Sequence, residues 1–169
     1  MIVNGLALLR AAPITNMLTE KVSGELSSHG LAEAGYDIRL KQTVNFTTHF
    51  NGHARVPVIK VGDGENSVVI HNGRFVLAST IEHFQMPCHL VGVVHDKSTW
   101  ARRGLSVFNT VIEPGWHGYL TLELVYHGAD DLIIPAGTGI AQVLFHDLQH
   151  GSQYNGKYQA QENKPVPAR

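Results

Sequence analysis

Lys97-Ser98-Thr99-Trp100-Ala101-Arg102-Arg103-Gly104 places three cations and two hydroxyls in one short segment. Such groups donate hydrogen bonds to phosphate oxygens, and charge-assisted bonds of this kind are the strong ones. The same pattern also describes a solvated basic turn. Further along, Glu123 stands alone among leucines in Leu120-Thr121-Leu122-Glu123-Leu124. Strand alternation puts Thr121 and Glu123 on one face and the three leucines on the other. On an open face, Glu123 is an ordinary surface residue. On a face that lines a cleft, burial raises its pKa while nearby Arg102 lowers it. That balance suits a side chain that takes and returns protons. An anion cradle beside a partly desolvated carboxylate is the equipment of a nucleotide-processing site.

Other residues are less specific. Glu113-Pro114-Gly115-Trp116-His117-Gly118 reads as a turn feeding the Tyr119 strand, with Trp116 packed. In Ala34-Gly35-Tyr36-Asp37-Ile38-Arg39-Leu40, Asp37 and Arg39 share a strand face and could form a structural ion pair at a subunit contact. Eleven histidines include the pairs His49/His53 and His146/His150. A four-residue spacing makes a zinc pair only on a helix. Here the first pair spans a turn and the second straddles a strand end. The chain also lacks the His-x-Glu and Cys-x-x-Cys ligands of zinc deaminases. No zinc site and no metal site built from protein side chains is expected. Neither a Gly-x-x-x-x-Gly-Lys-[Ser/Thr] loop nor a Gly-x-Gly-x-x-Gly turn occurs.

Short apolar runs between turn residues must position these groups. They are Ser67–Ile70, Phe75–Ala78, Leu90–Val94, Tyr119–Tyr126, Leu132–Ile134 and Ile140–Phe145. Many are β-branched and most are too short for helices, so the chain reads as a mostly β barrel or sandwich. Two helices are expected, one over Thr15 to His29 and a single turn over Ser98 to Arg103. The N-terminus of the second would favour phosphate. The 169 residues are 43% apolar, enough for one ordinary domain with a sizeable core. Only 16% are charged, which fits a surface partly covered by partner subunits. With a net charge of -1, no broad basic face for nucleic acid is implied. The lone Cys88 cannot form an internal disulfide. The absence of a leader-like N-terminus and of a long apolar run makes a soluble, cytoplasmic protein with no membrane contact the expectation. The polar segment from His150 onward reads as disordered, or as ordered by a ligand or a neighbouring subunit.

Taken together, these segments resemble the dCTP deaminase and dUTPase superfamily, and dCTP deaminases in particular. Lys97-Ser98-Thr99-Trp100-Ala101-Arg102-Arg103-Gly104-Leu105 is similar to the family's Arg-Ser-Ser-Leu-Ala-Arg-x-Gly-Leu segment. Glu113-Pro114-Gly115-Trp116-His117-Gly118 through Leu122-Glu123 resembles Asp-Pro-Gly-Trp-x-Gly-x-x-x-Leu-Glu. Gly137 to Gln142 resembles Gly-x-x-Ile-x-Gln, and Tyr154 to Gln161 resembles the nucleotide-closing tail. The resemblance runs from about Ala34 to the C-terminus.

This likeness implies a single dUTPase-like domain over 1–169, a distorted β-barrel or sandwich with one or two short helices. Residues 150–169 would form the closing tail. It implies zinc-independent deamination of dCTP to dUTP and ammonia, with Glu123 as general base and acid. Ser98 and Arg102 would hold the attacking water. Lys97, Ser98, Thr99, Trp100, Ala101 and Arg102 would contact the triphosphate, with Mg2+ bound through that triphosphate. Glu113, Thr121, Leu122 and Gln142 are further substrate-binding candidates, and Tyr154, Lys157 and Gln161 would close over the nucleotide. The family forms homotrimers with sites between subunits. Some positions depart from its pattern. Lys97 replaces an arginine, Glu113 replaces an aspartate, and Trp100 replaces a leucine as a packing change. The segment between Leu105 and Glu113 is shorter, and Phe108-Asn109-Thr110-Val111 stands where the family has a His and a Thr-Ala pair. Two alternatives stay open. One is dUTP hydrolysis, alone or coupled to deamination, with Glu113 positioning water. The other is a non-catalytic nucleotide-binding regulator.

Overall fold

The computed structural model describes residues 1–62 and 68–168. The chain opens with β1 (Ile2–Val3), α1 (Gly5–Ala11), β2 (Lys21–Val22), β3 (His29–Leu31) and β4 (Tyr36–Arg39). Next come β5 (Thr43–Phe50), β6 (Arg55–Gly62), β7 (Val68–Asn72), β8 (Phe75–Gln85) and β9 (Leu90–Asp96). After α2 (Ser98–Ala101) follow β10 (Leu105–Val107), β11 (Val111–Ile112) and β12 (His117–Tyr126). The last strands are β13 (Leu132–Ile134) and β14 (Gly139–Asp147).

The molecule is mostly β, as the apolar runs predict. The strands form three sheets around one apolar core. The largest has the order β11-β9-β14-β4-β3-β2, with β1 also on β14. A second has the order β10-β12-β8, and a third the order β13-β5-β6-β7. None closes into a barrel among the described residues. Of the run Ser67–Ile70, Ser67 lies outside the described residues, and the rest falls in β7.

The helix expected over Thr15 to His29 does not form; α1 lies earlier, at Gly5–Ala11. Its leucines and alanines are strong helix formers, and Leu8 is fully buried. Ala12 turns left-handed at φ 45° and Pro13 follows, which ends the helix. The later segment carries Asn16 at φ 54° and the turn-forming residues Ser23, Gly24, Ser27 and Ser28 instead. The second expected helix is present as the single turn α2, anchored by Trp100. That ring is 1% exposed and its indole N–H donates to Gly139 O at 2.7 Å.

The segment after His150 docks on its own chain. Tyr154 N donates to Pro114 O (2.8 Å), Ala160 N to His117 O (3.0 Å) and Tyr119 N to Gln161 O (3.1 Å). The Trp116 indole donates to Tyr158 O at 2.6 Å. Gly118 makes this possible. A Cβ there would meet Gln161 N at 2.6 Å, and its φ of 135° suits glycine alone. Polar tail residues thus find backbone partners on the turn before β12.

Candidate active site

β12 pairs antiparallel with β8, with Glu123 opposite Leu77 and Thr121 opposite Ser79. Leu122 and Leu124 point into the core, at most 1% exposed. Alternation sends Glu123 to the other face. That face is a cleft. A cavity of about 530 Å³ is lined by Glu123, Thr121 and Leu77 together with Ile112 of β11 and Glu113 just after it. Trp116 and the tail residues Tyr154, Tyr158 and Gln161 complete much of its wall. A register shift between Tyr119 and Thr121 brings Leu120 to the lining as well.

The wall is mainly apolar, and this sets the electrostatics of Glu123. Burial raises its pKa above the ordinary carboxylate range, opposed only by its own backbone amide. Arg102 takes no part in this shift, contrary to the balance expected from sequence. Glu123 Oε2 is sequestered from solvent without a hydrogen-bond partner. The Thr121 hydroxyl donates to Gln161 Oε1 at 3.1 Å and accepts from Val166 N at 3.0 Å. The hydroxyl of Tyr154 accepts from Tyr158 N at 3.3 Å.

The structure therefore gathers five of the sequence candidates around one space: Glu113, Thr121, Glu123, Tyr154 and Gln161. The others lie elsewhere. The side chains of Leu122 and Trp100 belong to the core and do not reach the cavity. Lys157 lies over the Tyr158 ring at 5.1 Å. Gln142 and Lys97 both turn to Asp37. Gln142 Nε2 donates to Asp37 Oδ1 at 2.9 Å, and Lys97 Nζ forms an ion pair with Asp37 Oδ2. Lys97 also donates to Ser28 O at 3.0 Å. The sequence pairing of Asp37 with Arg39 is thereby overturned, since each has a nearer partner. Arg39 Nε and its backbone N–H donate to the two carboxylate oxygens of Glu82, both at 2.8 Å.

Ser98, Ala101 and Arg102 lie exposed on α2, with Thr99 half-buried, and none of the four lines the cavity of its own chain. The turn after α2 meets β12 where His127 N donates to Gly104 O at 2.8 Å. That contact is four residues beyond Glu123, or about 13 Å along the strand. Arg102 makes no ion pair among the described residues.

Residues missed from sequence include Phe75, Leu77 and Tyr158. Tyr158 sits inside the tail motif and was within reach of that signal. Thr110, which also lines the cavity, lies in the segment Phe108-Asn109-Thr110-Val111 that the resemblance marks as a departure from the family pattern. Among the described residues, no group of three His, Cys, Asp or Glu side chains converges to hold a metal ion. No helix among them is long and apolar enough to cross a membrane.

The mostly β scaffold thus carries a half-buried carboxylate, one of its oxygens without a partner, in an apolar cleft. Comparison with known proteins supplies the class. The model of the dCTP deaminase-like family matches residues 8–148. The dCTP deaminase of Campylobacter concisus is 36% identical over 160 residues, covering 88% of this chain and 85% of that protein. That of Protochlamydia amoebophila is 35% identical over 155 residues, covering 85% and 81%. Native EIAV dUTPase aligns with a TM-score of 0.49 at 16% identity, over 87% of this chain and 92% of that one. The chain belongs to the dCTP deaminase-like family and is an enzyme of that type.

Proposed function

We propose that the Glu123 cavity deaminates dCTP to dUTP and ammonia without zinc. The observation that carries this reading is the unpaired Glu123 Oε2 in an apolar cleft, with the carboxylate pKa raised by burial. A base whose pKa approaches the working pH can both accept and return a proton. Water adds its oxygen to C4 of cytosine as Glu123 takes one proton and delivers it to N3. The new hydroxyl then loses its proton through Glu123 to the amine. The C4–N bond breaks, ammonia leaves, and C4 becomes a carbonyl beside a protonated N3. Both water protons are thus accounted for. In the absence of metal activation, the rate would depend on how the cleft holds water against the ring.

Ser98, Thr99 and Arg102 contribute to this reading only from a second copy of the chain. None of them lines the cavity of its own chain, and Ser98 and Arg102 are exposed, so they fit a site built between subunits of a homotrimer, where they would hold the triphosphate. The sparse charge of the chain agrees with covered surfaces. Mg2+ would ride on the triphosphate oxygens, since the described residues offer no converging ligand set of their own. Tyr154 and Gln161 would cover the nucleotide from the tail, and Lys157 lies beside them in sequence.

A second carboxylate in the same cavity, Glu113, favours one further arm. In that arm Glu113 positions water at the α-phosphorus, and dUTP is cut to dUMP and pyrophosphate. The test is to incubate the purified protein with dCTP and with dUTP and to quantify ammonia and pyrophosphate. Ammonia from dCTP alone supports deamination, and both products support the coupled route. Pyrophosphate from dUTP without ammonia replaces the proposal with dUTP hydrolysis. Neither product leaves a binding protein.

A further inference from the structure

Resting on the deaminase reading, we propose that Thr110 is a further catalytic residue, its hydroxyl holding the attacking water together with Glu123. The argument begins with unmatched atoms. Two residues that line the cavity, Glu123 and Thr110, each carry a side-chain oxygen (Oε2 and Oγ1) that is shut away from solvent and has no hydrogen-bond partner among the described residues. A buried polar atom left unpaired costs about 1–3 kcal/mol. Two such atoms in one cleft point to a polar guest between them.

The backbone explains why the two belong to one site. Phe108 N donates to Glu123 O at 3.0 Å, which ties the start of the loop to the acid's own residue. The other end is tied to β9, where Val94 N donates to Thr110 O at 3.0 Å and Val111 pairs with Val93. Only Asn109 separates these two anchors, so the hydroxyl of Thr110 is carried on a short, pinned span beside β12. Gly92 lets the strands approach this closely, because a Cβ there would meet Ile112 Cβ at 3.2 Å.

Chemistry then selects the role. A water attacking carbon must give up hydrogens to acceptors, and one carboxylate oxygen supplies a single direction. The second acceptor must leave the carboxylate's charge unchanged. Among the cavity's hydroxyls, Thr121 already donates to Gln161 and accepts from Val166, and Tyr154 accepts from Tyr158 N. Thr110 Oγ1 is buried and has no hydrogen-bond partner among the described residues. It accepts one water hydrogen while Glu123 takes the other, which aims the water's remaining lone pair at the ring. Thr110 neither gains nor loses a proton in this scheme.

The experiment compares the wild type with Thr110→Val, which keeps the branched shape, and Thr110→Ser, which keeps the hydroxyl. Ammonia release from dCTP gives kcat and KM, and equilibrium dialysis gives the dCTP affinity. The expected result for Thr110→Val is a kcat lowered about 10²-fold, the scale seen when one positioned hydrogen-bonding group is removed from a reacting centre. KM and dCTP affinity should stay within about threefold of wild type, which also shows that the variant is folded. Thr110→Ser should recover most of kcat. The proposal is overturned if Thr110→Val keeps kcat within about twofold, or if Thr110→Ser is as slow as Thr110→Val. A wild-type protein that releases no ammonia removes the deaminase reading and this role with it. An active wild type with an unaffected Thr110→Val removes this role alone.

Discussion

The cluster around Lys97 and the cleft around Glu123 both take charge out of water, and they match it in opposite ways. Asp37 is 1% exposed, yet it accepts from Lys97, Ser28 and Gln142. Next to it, Glu82 is filled by the side chain and backbone of Arg39. Every oxygen of these two carboxylates has a donor. Glu123 is more exposed than either and nevertheless leaves one oxygen unpaired in an apolar wall. Paired buried charge holds strands together; unpaired charge beside a cavity is available for chemistry. The same contrast separates Lys97 from Arg102, neighbours in sequence. One is committed to the core of its own chain, and the other makes no ion pair among the described residues.

Breaking each side of this contrast should have different consequences. The largest effect is expected at Glu123. Glu123→Gln keeps size and polarity but cannot accept the proton, so ammonia release should fall by at least about 10³-fold. Nucleotide affinity, measured by equilibrium dialysis, should be nearly unchanged. Turnover at the wild-type rate would remove Glu123 from the reaction. Asp37→Ala should instead act on stability. It strands the Lys97 ammonium with only Ser28 for company, and removing one partner of a buried pair costs about 3 kcal/mol or more. For a chain of this length the melting temperature should drop by about 10 °C. An unchanged melting curve would mean that Lys97 finds water when its partner is gone. Arg102→Ala comes third. Its surface position predicts no change in folding, while loss of a phosphate contact predicts a Kd for dCTP raised at least about tenfold. That exceeds the roughly 1 kcal/mol typical of an exposed charge, and an unaltered Kd would count against the cradle.

The legible parts of this molecule are those whose signal lies in side-chain order. Leu132–Ile134 is a strand as read, and Ile140–Phe145 and Tyr119–Tyr126 sit inside β14 and β12. Glu123 was visible because one acid interrupts a leucine run, and alternation alone fixed its face. β5 and β6 escaped because Thr43–Phe50 interleaves Thr, Asn and His with its apolar residues, and Pro57 interrupts the second strand. Asp37 was paired with Arg39 because sequence shows neighbours on one strand. It cannot show that β8 carries Glu82 to Arg39 while the end of β9 carries Lys97 to Asp37. Docking of the tail was illegible for a different reason: backbone hydrogen bonds to the turn before β12 leave little mark on residue type. Thr110 was legible only as part of a segment that departs from the family pattern; the two backbone bonds that place it, Phe108 N to Glu123 O and Val94 N to Thr110 O, leave no mark on residue type.

The smallest expected effect sharpens the contrast most, because it separates burial from catalysis at one residue. Burial lifts the Glu123 pKa above the unfolded value of 4.5, so the native state holds this proton more tightly than the unfolded chain does. Between those two pKa values the native state binds more protons, and stability falls as pH rises through that window. Above it, the loss remains in full; below about pH 4 both states are protonated and the difference vanishes. Glu123→Gln has no proton to lose, so it should gain on the wild type as pH rises. The amide still leaves a polar group in the cleft, which limits the gain to about 1 kcal/mol or less. In melting temperature this is about 2 °C near neutral pH, shrinking toward zero in acid. A difference of constant size across the range, or one largest in acid, would show that the carboxylate is not destabilised by its surroundings. In that case its unpaired oxygen would be satisfied in solution, and the contrast with Asp37 would disappear.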